Sequence, residues 1–145
     1  MKLISVYKPF VGTESKFIDG VNEGSQDLAE NFWASLNSSC LWFLIFLGVS
    51  ALICVYYFTE YNEHPHRHYR RTHWIGFYLG TVIFMFFGTA GLGYILTSPT
   101  VKGSASLIWD IATGNAVYSI IIFGLISFIW WLFALPTNAY IGTRK

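Results

Sequence analysis

The chain alternates between polar segments and three apolar runs, residues 40–58, 73–96 and 112–135, that hold no Asp, Glu, Lys or Arg. Each run falls within the roughly 17–25 residues that a helix needs to cross a hydrocarbon core of about 30 Å. Aromatic residues gather at the ends of the runs. Trp42 and Tyr56, Tyr57 and Tyr61 bracket the first, Trp74, Tyr78 and Tyr94 lie near the ends of the second, and Trp109, Trp130 and Trp131 bracket the third. Amphipathic rings at both ends of an apolar helix form the belt expected at the two membrane–water interfaces. The pattern predicts an all-α integral membrane protein with three transmembrane helices.

The segments between and before the runs refine this outline. Residues 1–24 form a polar arm in which Pro9, Gly12, Gly20 and Gly24 break any long periodicity. The arm is expected to be extended or loosely structured, either disordered or laid against a partner. Tyr7, Lys8 and Pro9 interrupt the apolar core that a cleavable leader would require, so the sequence is read as uncleaved from Met1. From Ser25, a candidate N-cap, residues 25–37 place Leu28, Phe32 and Leu36 at four-residue spacing with Asp27 in the first turn. This predicts a short amphipathic helix, and Trp33 suits it to the membrane interface or to an exterior face of the protein. Asn37, Ser38 and Ser39 are expected to separate it from the first span.

Residues 97–111 read as a turn followed by an interfacial segment. Ser98 and Pro99 end the second helix, and Lys102 and Gly103 occupy the tip of the turn. The apolar stretch from Ala105 is longer than one bilayer requires, which predicts that residues 106–110 lie at or above the interface, with Asp110 a surface acid. Pro136 closes the third helix, and residues 136–145 form a short tail.

Composition supports a membrane class and narrows the chemistry. The chain is 54% hydrophobic and 12% charged, where a soluble domain carries about 25% charged residues. A net charge of +1 gives no electrostatic case for nucleic acid. Cys40 and Cys54 lie on one predicted helix, about 21 Å apart by helical rise, too far for a disulfide within it.

The polar loop at residues 59–72 concentrates the unusual chemistry. The stretch EYNEHPHRHYRRTH, residues 60–73, holds all four histidines and three of the four arginines. His64, His66 and His68 alternate and would share one face of an extended segment; with His73, Glu60 and Glu63 nearby they are candidate metal ligands. Arg67, Arg70 and Arg71 put positive charge among those ligands and oppose a cation. They fit contact with lipid headgroups instead, at about 1 kcal/mol per cation beside an anionic surface. Membrane di-iron oxygenases draw histidines from several boxes, whereas this chain has its four in one place.

Within the second run, Gly76, Gly80, Gly88 and Gly91 cluster on about a third of the helix circumference, and Gly76 and Gly80 form a GxxxG pair. The expected use is a helix-packing face. The three spans leave the 59–72 loop and the tail on one side and the arm on the other. Arg67, Arg70, Arg71, Arg144 and Lys145 flank the first side, so the positive-inside rule puts loop and tail inside and the N-terminus outside. A bacterial inner or plasma membrane and an organellar membrane fit equally well.

Three functions are consistent with this layout. The leading one is a non-catalytic integral subunit of a larger membrane assembly, with no cofactor, with bound lipids, and with other subunits or further copies of itself as partners. The second is a homo-oligomeric pore lined by Gly76, Gly80, Thr81 and Thr89, and the third is an interfacial enzyme using the loop histidines. Apart from His73 at the edge of the second, the predicted spans hold no ionisable residue of the kind that marks an ion or proton pathway.

Overall fold

The computed structural model describes residues 3–21, 23–61 and 71–133. The chain is all-helical, with 91% helix and no strand among the described residues. The N-terminal arm comprises a 3₁₀ turn at Leu3–Tyr7, α1 at Lys8–Val11, α2 at Glu14–Asp19 and a second 3₁₀ turn at Glu23–Ser25. Three long helices follow: α3 at Gln26–Tyr56, extended by a π-helical turn at Tyr57–Tyr61, α4 at Arg71–Thr97 and α5 at Ser104–Phe133. Each is long and apolar enough to cross a membrane, which is compatible with an integral membrane location.

The three helices pack pairwise into one bundle, and each presents an inward stripe of its own character. On α3 the buried positions run Ala29, Phe32, Trp33, Leu36, Ser39, Cys40, Phe43, Leu47, Ser50 and Cys54, the 3–4 spacing of one helix face. On α4 the buried positions Thr81, Met85, Thr89, Gly93 and Thr97 fall four apart. On α5 Ile111, Asn115, Ser119, Phe123 and Ser127 do the same. Small and hydroxyl-bearing residues in those stripes let backbones approach, which is how helices gain packing where lipid offers no hydrophobic drive. Thr81 and Thr97 return their hydroxyls to carbonyls one turn back on their own helix, at 2.7 Å in each case. These two buried hydroxyls are thus satisfied without a partner helix.

Two features differ from the sequence expectation. The predicted interfacial helix is not separate, because α3 runs unbroken through Asn37, Ser38 and Ser39. Its first turns, with Ala29, Phe32, Trp33 and Leu36, continue the stripe that Cys40 and Phe43 carry further on. The polar residues that suggested a break have other uses: Ser39 lies in the stripe, Ser38 donates to the Ser35 carbonyl at 2.8 Å, and Asn37 Oδ1 accepts the Ile4 N–H at 3.4 Å. Nor is the arm extended. Its helical turns place Ile4, Tyr7 and Val11 at helical spacing, and all three are buried against Leu36, Phe43 and the start of α5. Pro9 is tolerated because it sits in the first turn of α1, and Gly12 takes φ +74°, a left-handed conformation suited to glycine, where the chain leaves α1.

The core has two parts. At the arm end, Tyr7, Trp33, Leu36, Phe43, Ile108 and Ile111 form the larger cluster, with Phe17 of α2 stacked on Trp33 at 5.9 Å. At the other end Cys54, Tyr57, Phe58 and Phe123 are buried beside Trp74, Phe77, Tyr78 and Trp130. The π-helical turn lies in this second cluster, where consecutive Tyr57 and Phe58 are both buried.

Candidate functional site

Asn115 is the polar centre of the bundle. It is fully buried on the inward stripe of α5, and its amide nitrogen donates to the Phe43 carbonyl of α3 at 3.2 Å and to Thr89 Oγ1 of α4 at 2.9 Å. Its Oδ1 accepts the Tyr7 hydroxyl of the arm at 2.6 Å. One side chain therefore joins the arm to all three long helices. Tyr118, one turn further along α5, donates its hydroxyl to the Val6 carbonyl and ties the arm down a second time. Burial raises the Tyr7 phenol above its ordinary range, with smaller contributions from Cys40 and Tyr118 and an opposing one from its bond to Asn115. Tyr7 is thus held as a neutral donor. Sequence inspection for ionisable residues passes over Asn115, which carries no charge; the signal available was an amide inside an apolar run, near its start.

The four glycines do not form one packing face within the chain. A Cβ at Gly88 would lie 2.5 Å from the tip of the Phe46 ring, so α3 packs closely there. Gly76, Gly80 and Gly91 are exposed, and a Cβ at any of them would meet nothing within 4 Å. The glycine that α5 needs is Gly93, where a Cβ would approach Ile108 Cγ2 to 2.6 Å. Gly93 belongs to the buried four-residue stripe, a pattern hidden in the sequence because its other members are Thr and Met. Thr89 faces the interior and bonds Asn115, so within this fold it does not line a path on the outer surface.

Gly76 and Gly80 instead floor an open groove of about 480 Å³ between α3 and the first half of α4. Ile53, Phe77 and Phe84 line its length, and Tyr61, Thr72 and His73 line the end nearest the start of α4. The His73 ring meets Tyr61 edge-on at 5.7 Å. Phe84 and Phe46, with ring centroids 5.4 Å apart, lie at the far end.

His64, His66, His68, Arg67 and Arg70 lie outside the described residues. Arg71 is the first residue of α4. Among the described residues no group of three or more His, Cys, Asp and Glu is placed to hold a metal. Cys40 and Cys54 are both free thiols in the interior. Asp110 lies on α5 within the length apolar enough to cross a membrane, in the same turn as the half-exposed Trp109.

Compared with protein-family models, with curated proteins and with solved structures, the chain matches none. The functional reading therefore rests on the geometry above.

Proposed function

We propose that this chain is a non-catalytic integral subunit of a larger membrane assembly, where it scaffolds or anchors neighbouring subunits. The observation that supports this reading is the Tyr7–Asn115–Thr89 centre, which uses the buried polar groups of four segments to fix them together. The outer faces are thereby held in constant relation to one another. They carry Leu41, Ile45 and Leu52 on α3, Ile83 and Phe87 on α4, and Ile121, Leu125 and Phe128 on α5, all exposed. In lipid such faces gain little from burial as such, and association with a neighbour depends on shape fixed in advance. A rigid, aromatic-rich three-helix unit suits that role.

In this reading the 59–72 loop and the tail face inward and the arm lies outside, as the distribution of Lys and Arg indicates. Solubilised in mild detergent from its native membrane, the chain is expected in a particle well above its own 16.5 kDa of protein, with other polypeptides present. A particle containing one copy of this chain and no other polypeptide would overturn the reading.

A further inference from the structure

The groove floored by Gly76 and Gly80 has a length and a polarity that point to its occupant. From His73 to Phe84 it follows α4 for about 16 Å of helical rise, close to half of a hydrocarbon core of about 30 Å. That length suits one leaflet's extended hydrocarbon chain.

Its polarity runs in one direction along that length. The end at the start of α4 offers the Thr72 hydroxyl, the His73 imidazole and Tyr61, and the remainder is Ile53, Phe77 and Phe84 over the two glycines. The polar end also lies at the N-terminus of a helix of 27 residues, the positive end of its dipole. The far end is stopped where Phe46 crosses to Phe84 and fills the space beside Gly88. Positions 76, 80, 84 and 88 form one ridge of α4, open at the first two and closed at the last two.

We infer that this groove is a binding site for one acyl chain of an anionic lipid, with the headgroup at the Thr72–His73 end. The headgroup hydrogen-bonds to Thr72 and His73 at the positive end of the α4 dipole, and the chain takes the space that side chains at positions 76 and 80 would fill. Since hydrocarbon gains little on moving from bilayer to groove, selectivity resides in the headgroup and retention in the fit of the chain.

The test uses the full chain, purified in mild detergent and titrated with phosphatidylglycerol or phosphatidylcholine, with bound lipid read by native mass spectrometry. The unmodified protein should retain phosphatidylglycerol in preference to phosphatidylcholine. Gly76→Leu with Gly80→Leu fills the groove and should lower retention of phosphatidylglycerol about fivefold or more. Gly91→Leu, on the same helix where space is equally open but outside the groove, should leave it unchanged. Thr72→Ala with His73→Ala should erase the preference between headgroups. A photoactivatable acyl chain on phosphatidylglycerol should crosslink to residues 73–84 in the unmodified protein, a readout that needs no variant. Crosslinks spread evenly over the outer faces of α3, α4 and α5 would overturn the inference. So would equal loss of lipid in the Gly91→Leu protein. Unchanged lipid binding with a smaller native particle in the double glycine variant would overturn it too, and would assign the groove to a partner helix. The subunit reading stands or falls separately, on polypeptide composition.

Discussion

Tyr7→Phe is the most direct test of how the arm is attached. The substitution removes one hydroxyl and keeps the ring, which meets Phe43 edge-on at 6.5 Å and Tyr118 at 6.0 Å. What is lost is the 2.6 Å bond to Asn115 Oδ1, between two residues that are both fully buried. A buried hydrogen bond contributes about 0.5–1.5 kcal/mol net, and an acceptor left without a donor costs about 1–3 kcal/mol. Side-chain bonds between membrane helices average about 0.6 kcal/mol and reach about 1.7. The arm site is fully enclosed, so Tyr7→Phe is expected near the upper membrane figure, about 1–1.5 kcal/mol. Asn115→Leu also breaks the bonds to Phe43 and Thr89 and should cost about 2–4 kcal/mol. The assay is reversible unfolding in mixed micelles by SDS titration, for both single variants and the double variant. If the bond is an energetic link, the double variant is less destabilised than the sum of the singles by about 1 kcal/mol. Additivity within about 0.3 kcal/mol would refute the reasoning and reduce the contact to proximity. Proteolysis near Gly12 should accelerate in Tyr7→Phe, since the arm then loses one of its two tyrosine ties.

Further outcomes follow from the same geometry. The Tyr7 phenol is raised on folding, so its contribution is complete below its unfolded value near 10 and declines as pH rises beyond it. Wild-type stability should therefore fall by up to about 1.4 kcal/mol per pH unit above pH 10 from this group, and Tyr7→Phe should show a shallower decline. Gly93→Ala forces α4 against Ile108 and should destabilise by about 1–3 kcal/mol, whereas Gly91→Ala should lie within about 0.5 kcal/mol of wild type, both by SDS titration. Trp74→Phe removes the 3.2 Å bond from its indole N–H to Ser127 Oγ and should cost about 0.6 kcal/mol, with a coupling of about that size to Ser127→Ala in a double-mutant cycle. Cys40 and Cys54 are fully buried and should resist a maleimide until the protein is denatured. With both thiols silent, Lys102→Cys should be labelled by an impermeant maleimide from the outer face only; labelling from the inner face alone would reverse the proposed orientation.

The sequence by itself determined the class of this protein. Three apolar runs without Asp, Glu, Lys or Arg leave backbone groups that only helices satisfy in an apolar surrounding, so the number of long helices follows from composition and length, while α3 and α5 start well before the runs. Local periodicity put Leu28, Phe32 and Leu36 on one face; Phe32 and Leu36 are buried and Leu28 is exposed, and the periodicity could not show that the buried face continues past Asn37, Ser38 and Ser39. Those residues are poor helix formers in isolation, and only the arm and the inward stripe beyond them supply the contacts that carry the helix through. Three things were decided by tertiary structure. Which glycines touch a neighbour depends on where Phe46 and Ile108 arrive from other helices, so Gly93 packs while Gly76 and Gly80, alike in sequence, stand open. Asn115 becomes the centre of the bundle because Tyr7, Phe43 and Thr89, up to 108 residues away in the chain, converge on it. The arm folds because it has α3 and α5 to fold on: Ile4, Tyr7 and Val11 are too few to order a segment alone, and enough once a surface is waiting for them.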